Sequence, residues 1–215
     1  MTAPSTAATP TVEGIAAVGL AAAPSRLSER LGTHADTARA LRLARETFIG
    51  GERVDMGALA AALGVDRTSL FRWVGNRDAL LSEVLWSLAV PTLLQAEDAA
   101  EDLAGAERVA ALLIAFIDDL IRAEYFRVFL RREPARALRL LTTADSPIQR
   151  RYLATTAWVV RRDLGEEPFD GTIAPEELAY LLVRVSESFT YADLITGEEP
   201  SAERAGTAIR HLLRV

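Results

Sequence analysis

The sequence predicts an all-α protein, with a three-helix head that carries a helix-turn-helix and a larger helical body behind it. Three observations carry this reading. Apolar residues recur at helical spacing along most of the chain, and no period-2 alternation bounded by turns is found. Half of the 215 residues are hydrophobic, enough for a sizeable core in one or two domains. The stretch from Asp55 to Leu81, DMGALAAALGVDRTSLFRWVGNRDALL, reads as two short helices around a tight turn, followed at once by a longer helix.

The elements follow in order. Residues 1–30 are expected to be a flexible or loosely helical arm, since Met1 to Pro24 is rich in Ala, Thr and Pro and has no basic residue. Ile15 to Ala23 superficially resembles the apolar core of a signal peptide. The positive flank is missing and Glu13 interrupts, which favours a cytoplasmic protein. Only Arg26 and Arg30 in this arm are placed to enter a minor groove. A helix with Leu41, Ala44 and Phe48 on one face ends at Gly50-Gly51. The next buries Met56, Leu59, Ala60 and Leu63 and ends at Gly64, which supplies the positive φ that helix C-termini often use. Asp66 is an N-cap for a helix from Arg67 to about Val74. There Leu70 and Val74 sit one turn apart for packing, while Arg67, Thr68, Ser69 and Arg72 face a groove.

In the body, one helix runs from about Arg77 to Asp98 with a bend at Pro91, and another from about Ala106 to Ala123. A shorter one holds Tyr125, Phe126, Phe129 and Leu130, and Pro134 opens a further turn. Ser146-Pro147 opens a helix to about Leu164. Ala174-Pro175-Glu176-Glu177 opens one to about Thr196, and Ser201-Ala202-Glu203 starts the last. No internal repeat is visible, and no segment approaches the roughly 20 uninterrupted apolar residues that span a membrane.

Leu59-Ala60, Gly64-Val65 and Phe71-Arg72-Trp73-Val74, with Arg77 and Leu80-Leu81 after them, resemble the TetR family of transcriptional regulators. Phe71 lacks the hydroxyl that the family's Tyr usually gives to a phosphate, Val74 replaces an aromatic, and the loop between Phe48 and Leu59 is shorter. The resemblance implies a helix-turn-helix domain over residues 31–78 and an effector-binding and dimerisation domain over 79–215. Double-stranded operator DNA, a second copy of the chain and a small organic effector are the partners it implies, with no membrane. Arg67, Thr68, Ser69 and Arg72 are expected to read bases or position the helix. Phe71 and Trp73 would rest on sugar or thymine methyls, and Arg77 would grip a phosphate. In this family the last two long helices usually form the dimer interface. Leu178, Leu181, Leu182, Val185 and Phe189 give one an apolar face; Ala205, Ala208, Ile209, Leu212 and Leu213 give the other.

Charge distribution agrees. The net charge is −6, yet residues 26–77 carry nine Arg against six acids, and residues 81–215 fifteen Arg against twenty-two. A mildly basic head on an acidic body suits a DNA-binding domain whose body stays clear of the phosphates. Every basic residue is Arg, a compositional bias and not a functional signal.

Trp86, Phe116, Tyr125, Phe129, Trp158, Arg184, Glu187 and Tyr191 are the expected ligand-binding residues, an apolar set with a few polar groups that suits small organic molecules. Arg184 and Glu187, three residues apart on one helix, equally read as a surface pair. Arg53 to Ala60, Phe71 to Gly75 and Tyr191-Ala192-Asp193 resemble the QsdR-like branch, regulators of quorum-sensing-lactone degradation. That likeness implies a γ-lactone or acyl-homoserine lactone effector; a DNA-binding dimer without an effector is the alternative. An enzyme reading has little support. Cys is absent, His34 and His211 lie near opposite ends, and there is no GxSxG, phosphate loop or HExxH. No catalytic residue, metal site or cofactor is expected.

Overall fold

The computed structural model describes residues 13–215, and these contain fourteen α-helices and no strand. The head consists of α2 (Arg26–Leu31), α3 (Ala35–Ile49), α4 (Met56–Leu63) and α5 (Arg67–Val74). Leu27, Ala40, Ala44, Phe48, Leu59, Leu63, Leu70 and Val74 are its buried centre. Each terminus has a local cause. Asp55 accepts from the Gly57 and Ala58 amides to start α4, and Gly64 ends it at φ 70°, where a side chain would be strained.

α6 (Arg77–Asp98) leaves the head and becomes the central helix of the body. It continues through Pro91 as one helix. By length and mean hydropathy it is apolar enough to cross a membrane. Its apolarity has a local explanation, because Leu80 to Trp86 are buried from every side by head and body. Glu83, inside that run, is paired with Arg151.

Around α6 stand α7 (Gly105–Arg122), α8 (Glu124–Arg132), α9 (Pro134–Thr142), α10 (Pro147–Leu164), the short α11 (Pro168–Gly171), α12 (Pro175–Thr190), α13 (Ala192–Ile195) and α14 (Ala202–Leu213). α7, α10, α12 and α14 pack on one another over a second core of Leu112, Leu113, Ile117, Val160, Leu182 and Ile209. The penultimate helix stops at Thr190, short of the expected Thr196. Arg127 donates to the Thr190 carbonyl at 3.1 Å and to Asp193 at 2.5 Å, and so holds the chain in a turn at Tyr191.

Part of the expected arm is also ordered. Residues 1–12 lie outside the described residues, but α1 (Glu13–Ala22) packs along α10 and α6, and α2 belongs to the head. Ile15, 1% exposed, lies in the body core. Arg30 donates to the Arg72 carbonyl at 2.7 Å and caps α5, leaving Arg26 as the exposed cation of this segment.

Candidate nucleic-acid interface and effector cavity

The surface expected to meet DNA is carried by α5. Asp66 accepts from the Ser69 amide at 2.8 Å and from its hydroxyl at 2.8 Å, so Ser69 is engaged in capping. These two bonds hold the Asp66 carboxyl below the usual carboxylate range. Arg67, Thr68 and Arg72 are exposed, Phe71 is 41% exposed, and Trp73 is half-buried against the head core. A large exposed aromatic between two arginines, on a helix braced by α4, is a surface shaped for a groove.

Arg77 departs from expectation. Its guanidinium is turned away from that surface, donating to the Val54 carbonyl and, through both terminal nitrogens, to Glu133 at 2.5 Å. Glu133 stands between α8 and α9, so Arg77 ties the head to the body and is not free to hold a phosphate. Asp78 extends the tie through ion pairs to Arg136 and Arg139.

Behind the head, a cavity of about 60 Å³ lies among α6, α7, α8, α10 and the Tyr191 turn. Trp86, Phe116, Tyr125 and Tyr191, all expected, line it. So do Leu88, Phe126, Gln149 and Tyr152. Two polar groups at this lining have no hydrogen-bond partner among the described residues: the Trp86 indole N–H and the Gln149 amide, both atoms of which are unpaired. Burial pushes the Tyr152 and Tyr191 hydroxyls up, so both stay neutral.

Four expected ligand residues lie elsewhere. Phe129 stacks on Phe48 of the head, with ring centroids 5.3 Å apart. Trp158 is six residues beyond Tyr152 on α10, which turns it away from the cavity; its ring lies beside Gly14 of α1, beneath the Arg162 guanidinium. Arg184 and Glu187 form a pair at 2.9 Å and are not among the lining residues. Burial raises Glu187 to about 7, against the pull of Arg184 and the nearby Gln149 amide. Gln149 was not anticipated, because in the polar run Gln149-Arg150-Arg151 nothing marks it as the residue that faces the cavity. Tyr125 is the residue shared by both regions, since it lines the cavity and meets Phe48 edge-on at 6.0 Å.

A helix-turn-helix head joined to a helical body is the architecture of a DNA-binding regulator. Residues 104–214 match the tetracyclin repressor-like C-terminal domain. The chain belongs to the TetR family of transcriptional regulators, which are DNA-binding transcription factors and not enzymes. Among solved structures it is similar to the transcriptional repressor QsdR of R. erythropolis, of the TetR family. Identity is 29% and the TM-score 0.75, over 85% of this chain and 96% of that one. No curated protein matches the chain.

Proposed function

We propose that the chain is a cytoplasmic homodimeric repressor that leaves a palindromic operator when a γ-lactone or acyl-homoserine lactone enters the body cavity. The DNA-binding domain comprises residues 31–78, joined functionally by α2, and residues 79–215 form the effector and dimer domain. Arg67, Thr68 and Arg72 contact DNA directly, Phe71 and Trp73 support them, and Ser69 positions the helix. The outward residues Tyr180 and Leu181 of α12, which are 51% and 40% exposed, extend an apolar face to a second copy.

The observation that carries the effector reading is the cavity wall. A neutral apolar molecule with a carbonyl oxygen would accept from the Trp86 N–H, and its remaining polar group would meet Gln149. The unfilled volume of about 60 Å³ holds a few waters, whereas ligand sites usually enclose roughly 300 Å³ or more. A lactone therefore enters only by moving walls. Those walls are α6 at Trp86 and Leu88 and α8 at Tyr125 and Phe126, the two helices that grip the head. The displacement reaches the recognition helices through Phe48 and the Arg77–Glu133 pair, and differential affinity sets its effect.

The small cavity also supports a second reading, a DNA-binding dimer without an effector. Isothermal calorimetry of the DNA-free protein with a short γ-lactone and an acyl-homoserine lactone separates the two. Stoichiometric binding that is weakened in Gln149→Met and Trp86→Phe supports the effector reading; no heat from either lactone removes the lactone assignment.

A further inference from the structure

The segment that precedes the head is built into the sensory chamber. Gly19 of α1 lies so close to Trp86 that a Cβ there would stand 2.2 Å from Cζ2 and 2.4 Å from Cη2 of the indole. The same Cβ would approach Thr155 Oγ1 at 3.1 Å. The Arg151 guanidinium covers the Trp86 ring at 5.6 Å. Trp86, which lines the cavity, is thus fixed by a glycine at its benzo edge and a cation on its face, and its buried N–H has no partner among the described residues.

Arg151 is itself fully buried and joins three parts of the chain. It donates to both oxygens of Glu83, at 3.0 and 2.7 Å, and to the Ala23 carbonyl at 3.0 Å. Ser25 donates to the same Glu83 at 2.5 Å and at the same time caps α2. α2 ends with Arg30 on the Arg72 carbonyl. A continuous run of contacts therefore leads from Trp86 through Arg151, Glu83, Ala23 and Ser25 to the end of the recognition helix. It is separate from the route through Tyr125 and Phe48.

We propose that residues 13–31 form a strap that positions Trp86 from behind and couples the state of the cavity to α5 through the buried Arg151–Glu83 pair. Gly19, Arg151 and Ser25 are positioning residues, since Trp86 is the residue facing the effector. The proposal deepens the reading of the cavity as an effector site, and its test needs neither operator nor lactone.

The test is hydrogen–deuterium exchange on the full-length protein and its Gly19→Ala, Gly19→Val and Ser25→Ala variants. Ser25→Ala introduces no clash and guards against a valine variant that fails to fold. Coupling predicts at least tenfold faster exchange in α2 and the last turn of α5, as well as at Trp86 on α6. In a Trp73→Phe/Trp158→Phe background, the Gly19 variants should also raise acrylamide quenching of Trp86 about twofold. Exchange changes confined to α1 and α10, with α2 and α5 as in the parent, would overturn the strap. A lactone that fails to bind would remove the effector assignment and leave this result standing.

Discussion

Arg77 and Glu133 face each other through two hydrogen bonds of 2.5 Å, with side chains only 12% and 14% exposed. One residue begins the helix that leaves the head and the other closes α8 in the body, so this pair fixes the angle between recognition surface and cavity. Both partners are shifted to keep their charge: Arg77 holds Glu133 below the usual carboxylate range, and Glu133 raises Arg77. Removing one partner leaves the other charged and poorly hydrated.

Glu133→Gln is therefore expected to destabilise the fold by about 2–3 kcal/mol, less than for a fully buried pair because both groups keep some water. The depressed Glu133 pKa contributes stability above its unfolded value of 4.5, lost as pH falls below it. The variant's deficit should accordingly shrink in acid. Urea unfolding at pH 7 and near pH 3.5 checks both statements.

Arg72→Ala should weaken operator binding about tenfold or more without changing the melting temperature or dimerisation, because its side chain is exposed. Arg67→Ala should lower the salt dependence of binding by about one unit of log K against log salt if it contacts a phosphate. Fluorescence anisotropy over a salt series measures both. Unchanged affinity in Arg72→Ala would show that this helix is not the reader.

Glu187 gives the fold a pH dependence of opposite sign. Burial raises its pKa to about 7 from 4.5, so between those values the folded chain holds a proton that the unfolded chain has released. Its contribution is full below pH 4.5 and is lost as pH rises through 7. Relative to wild type, Glu187→Gln should gain stability from pH 4.5 to 8 by up to about 3 kcal/mol. Parallel stability curves for the two proteins would contradict this.

The sensory wall makes a sharper prediction. Trp86→Phe keeps the ring and removes the donor, so operator affinity without effector should stay within about twofold while the lactone concentration for half release rises about tenfold. Equal lactone sensitivity in the two proteins would mean that the indole N–H is not read.

The helix-turn-helix was legible because its signals are local: Asp55 and Asp66 cap helices within three residues, and Gly64 takes the left-handed conformation where it stands. The helical order of the body was legible for the same reason, through Ser146-Pro147 and Ala174-Pro175. Contacts made at long range were not. Arg77 meets a residue 56 positions away and Glu83 one 68 positions away, and no spacing rule connects them. Trp86 and Tyr125 line the cavity and Trp158 does not, because type and burial do not specify which side of a helix faces it. The arm was read from its Ala, Thr and Pro content, which does not show that Gly14 and Gly19 each leave room for a tryptophan.

The central claim is that filling the cavity detaches the head from DNA. It is tested most directly by titrating an acyl-homoserine lactone into the preformed complex of the dimer with labelled DNA from upstream of its own gene, followed by anisotropy. The account predicts release in wild type and retention in Gln149→Met at the same lactone concentration. A complex that stays intact while calorimetry shows the lactone bound in the cavity would contradict it.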